Sequence, residues 1–519
     1  MAGQTGGNAD MGESLARRAY VTTLAIVLIV HSAGGRVQPV VATPGADGPA
    51  MPAHALVVTF DDVTRTLSGS LVVDWPNATG EPQAMIFFRL YPNAGYYGAG
   101  QTIVSAVRVD GEAASFALHD DATVLQIDLD SPIPDGAHVR IALDFITTIP
   151  ESSDASFGIL GGNAERGWLL ADWHPILAGW EEGTGWYLDP PTRFGDPTFA
   201  QSATWELRLT APAGLAVIAS GTEKQEAADL VAGTVTTRIV AGPGRDLTLA
   251  LLPEQADLET TERAASGVVI AISLPAAMAP PGLAEAIGDV AAESLPLFET
   301  WLGAYHDTEL DIVASPLAGT PAVAWNGLIW LDLDGIAADG AFDASEDDRL
   351  RFVLLHELAH LWIPGIVGSN NNDHGFMSEG LANTLAILAG RELYGVDVAH
   401  TWLRERAAAG YLAMVEAGND GVADAPLAND SDAGERARLV YGKAALGFEA
   451  IRQAIGEDAF FTGLRAYATA FRFGISEPSD LRAAWEEAAG VDLSSAWRAW
   501  FEDDVTTVAD VHAVLDGFA

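Results

Sequence analysis

Near Pro280 the hydrophobic pattern of this chain changes period, and a single structural layer accommodates only one of the two patterns. Up to about residue 255 the apolar residues fall in short alternating or β-rich runs: ALVVTF at 55–60, GSLVVDW at 69–75, AMIFFRLY at 84–91, TVLQIDLD at 123–130 and HVRIALDFITTI at 138–149. TWELRLTAP, LAVIASG, TVTTRIVA and LTLALLPE continue the series, with Asn, Gly, Asp and Pro between runs as turn residues. Beyond Pro280, Leu283, Ile287, Val290, Phe298 and Trp301 share one helical face, which Pro296 is expected to kink or break. Two strands follow, TELDIVASP and GLIWLDLDG, and from Asp347 onward helical periodicity dominates. The expected fold is an α+β multidomain protein, an N-terminal β-rich domain of sandwich or saddle type followed by a mainly α domain. Its 519 residues exceed what one core organises. The expected segments are 1–35 as an export signal or anchor, 36–53 as a linker, 54–255 as the β domain and 256–519 as the helical domain.

Asp and Glu outnumber Lys and Arg by 71 to 27, a formal charge of -44, and only Lys224 and Lys443 are lysines. Such a field repels phosphate backbones and excludes nucleic acid as a partner. No cysteine is present, which removes thiol catalysis and thiolate metal sites, so a metal must be held by His, Asp and Glu.

Arg17 and Arg18 precede an apolar run from Ala19 to Val30, followed by the small residues of HSAGG. A basic flank before about 12 mostly apolar residues matches an export signal, whereas a full span needs roughly 20. The expectation is an exported protein, membrane-anchored, periplasmic or extracellular, with retention of this segment as the route to membrane attachment.

The stretch DDRLRFVLLHELAHLW, 347–362, reads as a helix with acids at its start and Pro364 beyond its end. His356 and His360 are four residues apart, so both imidazoles leave one face and can share a tetrahedral Zn²⁺. Glu357 lies one step round, placed to reach a water at the open metal position rather than the metal. A third ligand is offered by Glu379, in the apolar helix FMSEGLANTLAIL, or by His374 in the polar stretch before it. Glu379 is preferred because a helix holds a ligand more rigidly than a Gly- and Asn-rich loop. One zinc per chain with an open fourth position is the catalytic arrangement.

HELAHLW, then 18 residues between His360 and Glu379, then SEGLAN, resembles the aminopeptidase N-like family of gluzincin metallopeptidases. LVYGKAALGFEAIRQAIGEDAF at 439–460 is similar to the family's Y-x-K-G segment and puts Tyr441 on its transition-state tyrosine. The stretches GDPTFAQSATWELRLTAPAGLAVIASG and SDLRAAWEEAAGVDLSSAWRAWF also resemble parts of the family, extending the likeness over about residues 55–502. The resemblance implies a thermolysin-like catalytic domain, one zinc, and peptides or proteins as substrates. In that reading Glu357 is the general base, and Tyr441 donates a hydrogen bond to the oxyanion. Asp373 and His374 stand where the family has an Asn-Asp pair that supports the ligands.

The likeness departs where family exopeptidases hold the substrate amine with a glutamate. In the matching stretch PAVAWNGLIWLDL, Asn326 is kept but Trp325 replaces the acid, leaving a cation–π contact as its means of meeting an ammonium. Trp325 and Asn326 are thus the expected substrate-binding pair, while the stretch carrying His174, Glu181 and Glu182 reads first as an ordinary aromatic-rich loop and, as the alternative, as a further lining of the site. The expected activity is peptide-bond hydrolysis of the aminopeptidase type. The alternatives are an endopeptidase or oligopeptidase without a free-amine requirement, and a non-catalytic relative that only holds peptides.

Overall fold

The structure, a computed structural model, describes residues 50–152, 156–193, 198–253, 258–336, 348–426 and 433–518, all within one compact unit. The expected export segment, most of the linker and Asp347 lie outside the described residues. No helix among the described residues is long and apolar enough to cross a membrane.

β-rich sheets come first and a mainly helical region follows. An eight-stranded sheet runs in spatial order Thr222–Asp229, Thr234–Gly244, Ala203–Pro212, Ala53–Asp61, Thr66–Pro76, His138–Thr148, Gln101–Val109 and Glu112–Ala113. Ala53–Asp61 pairs in parallel with Ala203–Pro212, and its other neighbour, Thr66–Pro76, is antiparallel. Strict alternation of buried and half-buried residues along Ala203–Pro212 shows why these sequences form strands with one face in the core. A four-stranded sheet of Leu215–Ala219, Leu249–Pro253, Gly167–Leu170 and Leu160–Asn163 lies between this region and the helical one. Its residues Leu169, Ile218, Ala250 and Leu252 pack with Val313, Val323, Trp325, Leu328 and Trp330 in one apolar layer.

The second half opens with a five-stranded sheet in the order Leu258–Ala265, Val268–Pro275, Glu309–Ala314, Leu328–Leu331 and Ala322–Trp325. The helix Leu283–Leu302 packs on it through Leu283, Ile287, Phe298 and Trp301, the face read from the sequence. Of the two outcomes expected at Pro296, a break does not occur: the helix runs through it. Its ring removes one N–H from the ladder, and the buried face formed by Leu295, Phe298 and Leu302 keeps the following turn in place.

Arg245 joins the two halves. Its Nε donates to Pro364 O at 2.9 Å and its Nη1 to Ala200 O at 2.9 Å, while Asn326 Oδ1 accepts from its backbone N–H at 3.0 Å. Burial pushes the guanidinium down to about 10, and it stays charged at neutral pH.

Candidate active site

The helix Asp348–His360 is amphipathic only in its first turn; Phe352 to His360 are all buried. It packs against the helix Gly375–Tyr394, whose Gly375 to Ser378 and Gly380 to Gly390 are buried as well. Two helices this enclosed hold their polar side chains in fixed positions.

Three donor atoms converge between them. His356 Nε2 lies 2.9 Å from His360 Nε2, and each is 3.2 Å from Glu379 Oε2. His360 Nδ1 donates to Ile363 O at 2.8 Å, which leaves the Nε2 lone pair facing the other two donors. A tetrahedral ion with bonds of about 2.0–2.1 Å separates its ligand atoms by about 3.3 Å, so the triangle is close to the size zinc requires. The electrostatics agree. Burial disfavours a charged His360, yet Glu379 outweighs it and pushes the imidazole up to about 9. Burial works against the Glu379 anion in turn, and His360 and His356 hold it well below the usual carboxylate range. The trio is therefore built to surround positive charge, and two imidazoles with one carboxylate are the ligand set of catalytic zinc.

Glu357 is buried beside the trio, and burial raises its carboxyl group above the usual range against the pull of His356 and His360. Tyr441 also lies close to the trio. Its ring centroid is 6.0 Å from that of His356, and its hydroxyl hydrogen-bonds Glu379. Burial and Glu379 raise the phenol well above its ordinary value, so it remains a proton donor.

Tyr441 sits in a π-helical turn, Arg438–Lys443, packed on the helix that carries Glu379. Two residues of SEGLAN arrange this contact. A Cβ on Gly380 would stand 2.5 Å from Ala444 Cβ and 3.0 Å from Val440 O, so only glycine permits the close approach. Asn383 Nδ2 donates to Tyr441 O at 3.0 Å, which holds the π-helical turn at the correct height. Lys443, fully buried, fixes the far end through Asp420 Oδ2 at 3.0 Å, Gly421 O at 2.7 Å and Asp503 O at 2.8 Å. Gly380 and Asn383 were legible only as family-like letters, since their contacts belong to a segment about 60 residues away.

The other expected residues are placed differently. His374 points away from the trio to Asp424 Oδ1, 2.6 Å from its Nδ1, which leaves Glu379 as the third donor. Asp373 Oδ2 and Glu181 Oε1 accept from the same Asn370 Nδ2, at 2.7 and 2.8 Å, and burial raises both acids. His174 is enclosed by Trp173, edge-on to it, and Trp205, tilted against it, in the β region, and burial pushes it down to about 4.

Trp325 ends the strand Ala322–Trp325 and Asn326 begins the turn after it; the strand is the edge of its sheet and packs against the helix Asp348–His360. Trp325 is 5% exposed, its ring 4.3 Å from that of Trp330 in the apolar layer under the β region. Bulky Val323 and Trp325 face that layer, while Ala322 and Ala324 pack with the catalytic core. Little of the indole face is therefore open to a substrate ammonium. Asn326 is buried too and braces Arg245, while its Nδ2 has no hydrogen-bond partner.

Comparison with known proteins supplies the relatives. Residues 288–500 match the peptidase family M1 domain. Aminopeptidase M1-A of Oryza sativa subsp. japonica is 25% identical over 226 residues, 43% of this chain and 26% of that protein. Aminopeptidase N of Streptomyces lividans is 24% identical over 255 residues, 46% of this chain and 29% of that protein. The match thus spans little more than a quarter of these curated relatives. Among solved structures, the M1 zinc metallopeptidase from Deinococcus radiodurans superposes with a TM-score of 0.61 at 20% identity, covering 87% of this chain and 93% of that one. A mutant of that enzyme bound to a Tyr-Ser-Ala substrate gives 0.62 at 21%, covering 87% and 94%.

Proposed function

We propose that the chain, whose residues 288–500 match the peptidase family M1 domain, is a zinc-dependent metallopeptidase of the M1 aminopeptidase type. The observation that carries this reading is the triangle of His356, His360 and Glu379 with Glu357 buried beside it. Zinc, when held by these three side chains, supplies a Lewis acid that polarises the scissile carbonyl and acidifies the attacking water. Glu357 takes the proton of that water and passes it to the leaving amine. Tyr441, kept protonated, donates a hydrogen bond where negative charge develops on the carbonyl oxygen. The strand Ala322–Trp325 is the edge of its sheet, and an extended peptide would add to it as a further strand, lying alongside the metal helix. The Tyr-Ser-Ala peptide bound to the Deinococcus relative supports peptides as the substrate class.

Trp325 favours a second reading, an endopeptidase or oligopeptidase that does not require a free N-terminus. With the indole buried in the interdomain layer, no carboxylate at this position meets an ammonium. Paired fluorogenic peptides with free and acetylated N-termini test both readings. Cleavage of the acetylated peptide alone would end the aminopeptidase reading, and turnover of neither by the zinc-loaded protein would leave a peptide-holding relative. Export, on the basic flank and apolar run of residues 17–30, belongs to the same proposal, as does membrane attachment through that segment. Cell fractionation tests both.

A further inference from the structure

A second group of metal-type ligands lies away from the peptidase site. Glu223 comes from the edge strand Thr222–Asp229 of the eight-stranded sheet, and Glu309 and Asp311 from the strand Glu309–Ala314, central in the five-stranded sheet. Glu309 and Asp311 are two residues apart on a strand and so project from one face. One carboxylate oxygen of each of the three acids lies within 4.8 Å of the others.

Acidic clusters are common in a chain of this charge, but this one is enclosed. Asp311 is 6% exposed, and its Oδ2 is buried without a hydrogen-bond partner. Burial comes first in raising its carboxyl group well above the ordinary range, followed by Glu223, Glu309 and Glu262, all acids. Glu223 is held in position by the Ala219 N–H, which donates to its Oε1, and Asp311 by its own N–H, which donates to Gly327 O at 2.9 Å. Three carboxylates brought together by two different sheets, one of them buried and unpartnered, need a cation or a shared proton to coexist. The donors are all oxygen and anionic, the chemistry of a hard divalent ion that accepts flexible carboxylate geometry and completes its shell with water.

We propose that Glu223, Glu309 and Asp311 bind one calcium ion, which clips the β-rich region to the five-stranded sheet of the catalytic half. The site is independent of the zinc trio and stands or falls without it. Equilibrium dialysis with ⁴⁵Ca²⁺ on the zinc-loaded full chain should find one saturable site above the weak surface background. Asp311→Asn should weaken it by about tenfold or more, because the site loses both charge and a ligand. Calcium should raise the thermal midpoint of the wild type and leave that of the variant unmoved. Should Asp311→Asn fail to fold, Glu309→Gln, at a half-buried position, carries the same expectation. Zinc content should stay at one per chain in both variants. The proposal is overturned if no saturable site appears up to millimolar calcium, which would leave a shared proton as the solution. It is equally overturned if both variants bind calcium as the wild type does, which would make the binding a property of the acidic surface.

Discussion

Gly368 leaves the space that the Arg245 guanidinium fills: a Cβ on Gly368 would stand 2.1 Å from Arg245 Cζ. Arg245 reaches through this gap to Pro364 O, just beyond the metal helix, and to Gly474 O, after the helix Glu457–Ala470, joining the β-rich region to two segments of the helical half. Gly368→Ala should cost about 1–3 kcal/mol through overpacking. Arg245→Met should cost about 3 kcal/mol or more, since several carbonyls lose a charged donor. Urea unfolding of both variants checks this; wild-type midpoints would show that the two halves are joined by other means.

Zinc should be present at about one per chain and should depend on all three ligands. Elemental analysis of His360→Ala is expected to show its loss, with activity lost alongside. Undiminished zinc in that variant would move the metal elsewhere.

Glu357→Gln should keep zinc and lower turnover by roughly 10²–10⁴-fold, since the amide retains the shape of the side chain and cannot accept a proton. Substrate affinity is expected to change little, so the loss should fall in kcat. Full activity would assign the base role to another residue.

Acetylated peptides should be cleaved within about tenfold of their free counterparts, equivalent to roughly 1.4 kcal/mol, because no buried carboxylate is left unpaired when the amine is blocked. Burial of Trp325 among Val313, Leu328 and Trp330 adds a further expectation. Trp325→Glu should unfold the protein at moderate temperature rather than create an amine anchor, since it buries an unpaired charge in an apolar layer. Strict rejection of blocked peptides by the wild type would place an acidic anchor elsewhere, with Glu181 as the first residue to substitute.

Acid should destabilise the fold through two histidines of the β region. Burial, with help from His174, pushes His54 down to about 3, and burial pushes His174 down to about 4, both from 6.5. The unfolded chain therefore binds more protons in this window. The stability these groups contribute is complete above pH 6.5 and is lost as pH falls towards 4, at about 1.4 kcal/mol per pH unit and group. His54→Phe, which keeps the ring stacked on Trp205, should flatten the slope between pH 6.5 and 4. Parallel stability curves for the two proteins would remove His54 as a cause.

What the sequence made legible is what repeats locally. His356 and His360 share a helical face by their spacing, and strand alternation located Ala203–Pro212 and its neighbours. Glu379 could be chosen over His374 because its helix is apolar and continuous, and the structure turns His374 towards Asp424. Contacts between distant segments left no such trace. Arg245 binds carbonyls, which every residue carries, and Asp311 meets Glu223 across 88 positions of chain. The orientation of Trp325 was written in the sequence as bulky Val323 and Trp325 alternating with Ala322 and Ala324. A family position occupied by an acid drew attention to the cleft instead.

The enclosure of Lys443 turns it into a clock. Of the two lysines, Lys224 is exposed, whereas the Lys443 ammonium, at the end of the turn that carries Tyr441, is shut in by Asp420 and two carbonyls. An amine-acylating reagent will mark Lys224 at once and must wait at Lys443 for that turn to open. The lag between the two labels then measures how often the phenol-bearing wall of the cleft comes apart, in a protein that is otherwise still folded.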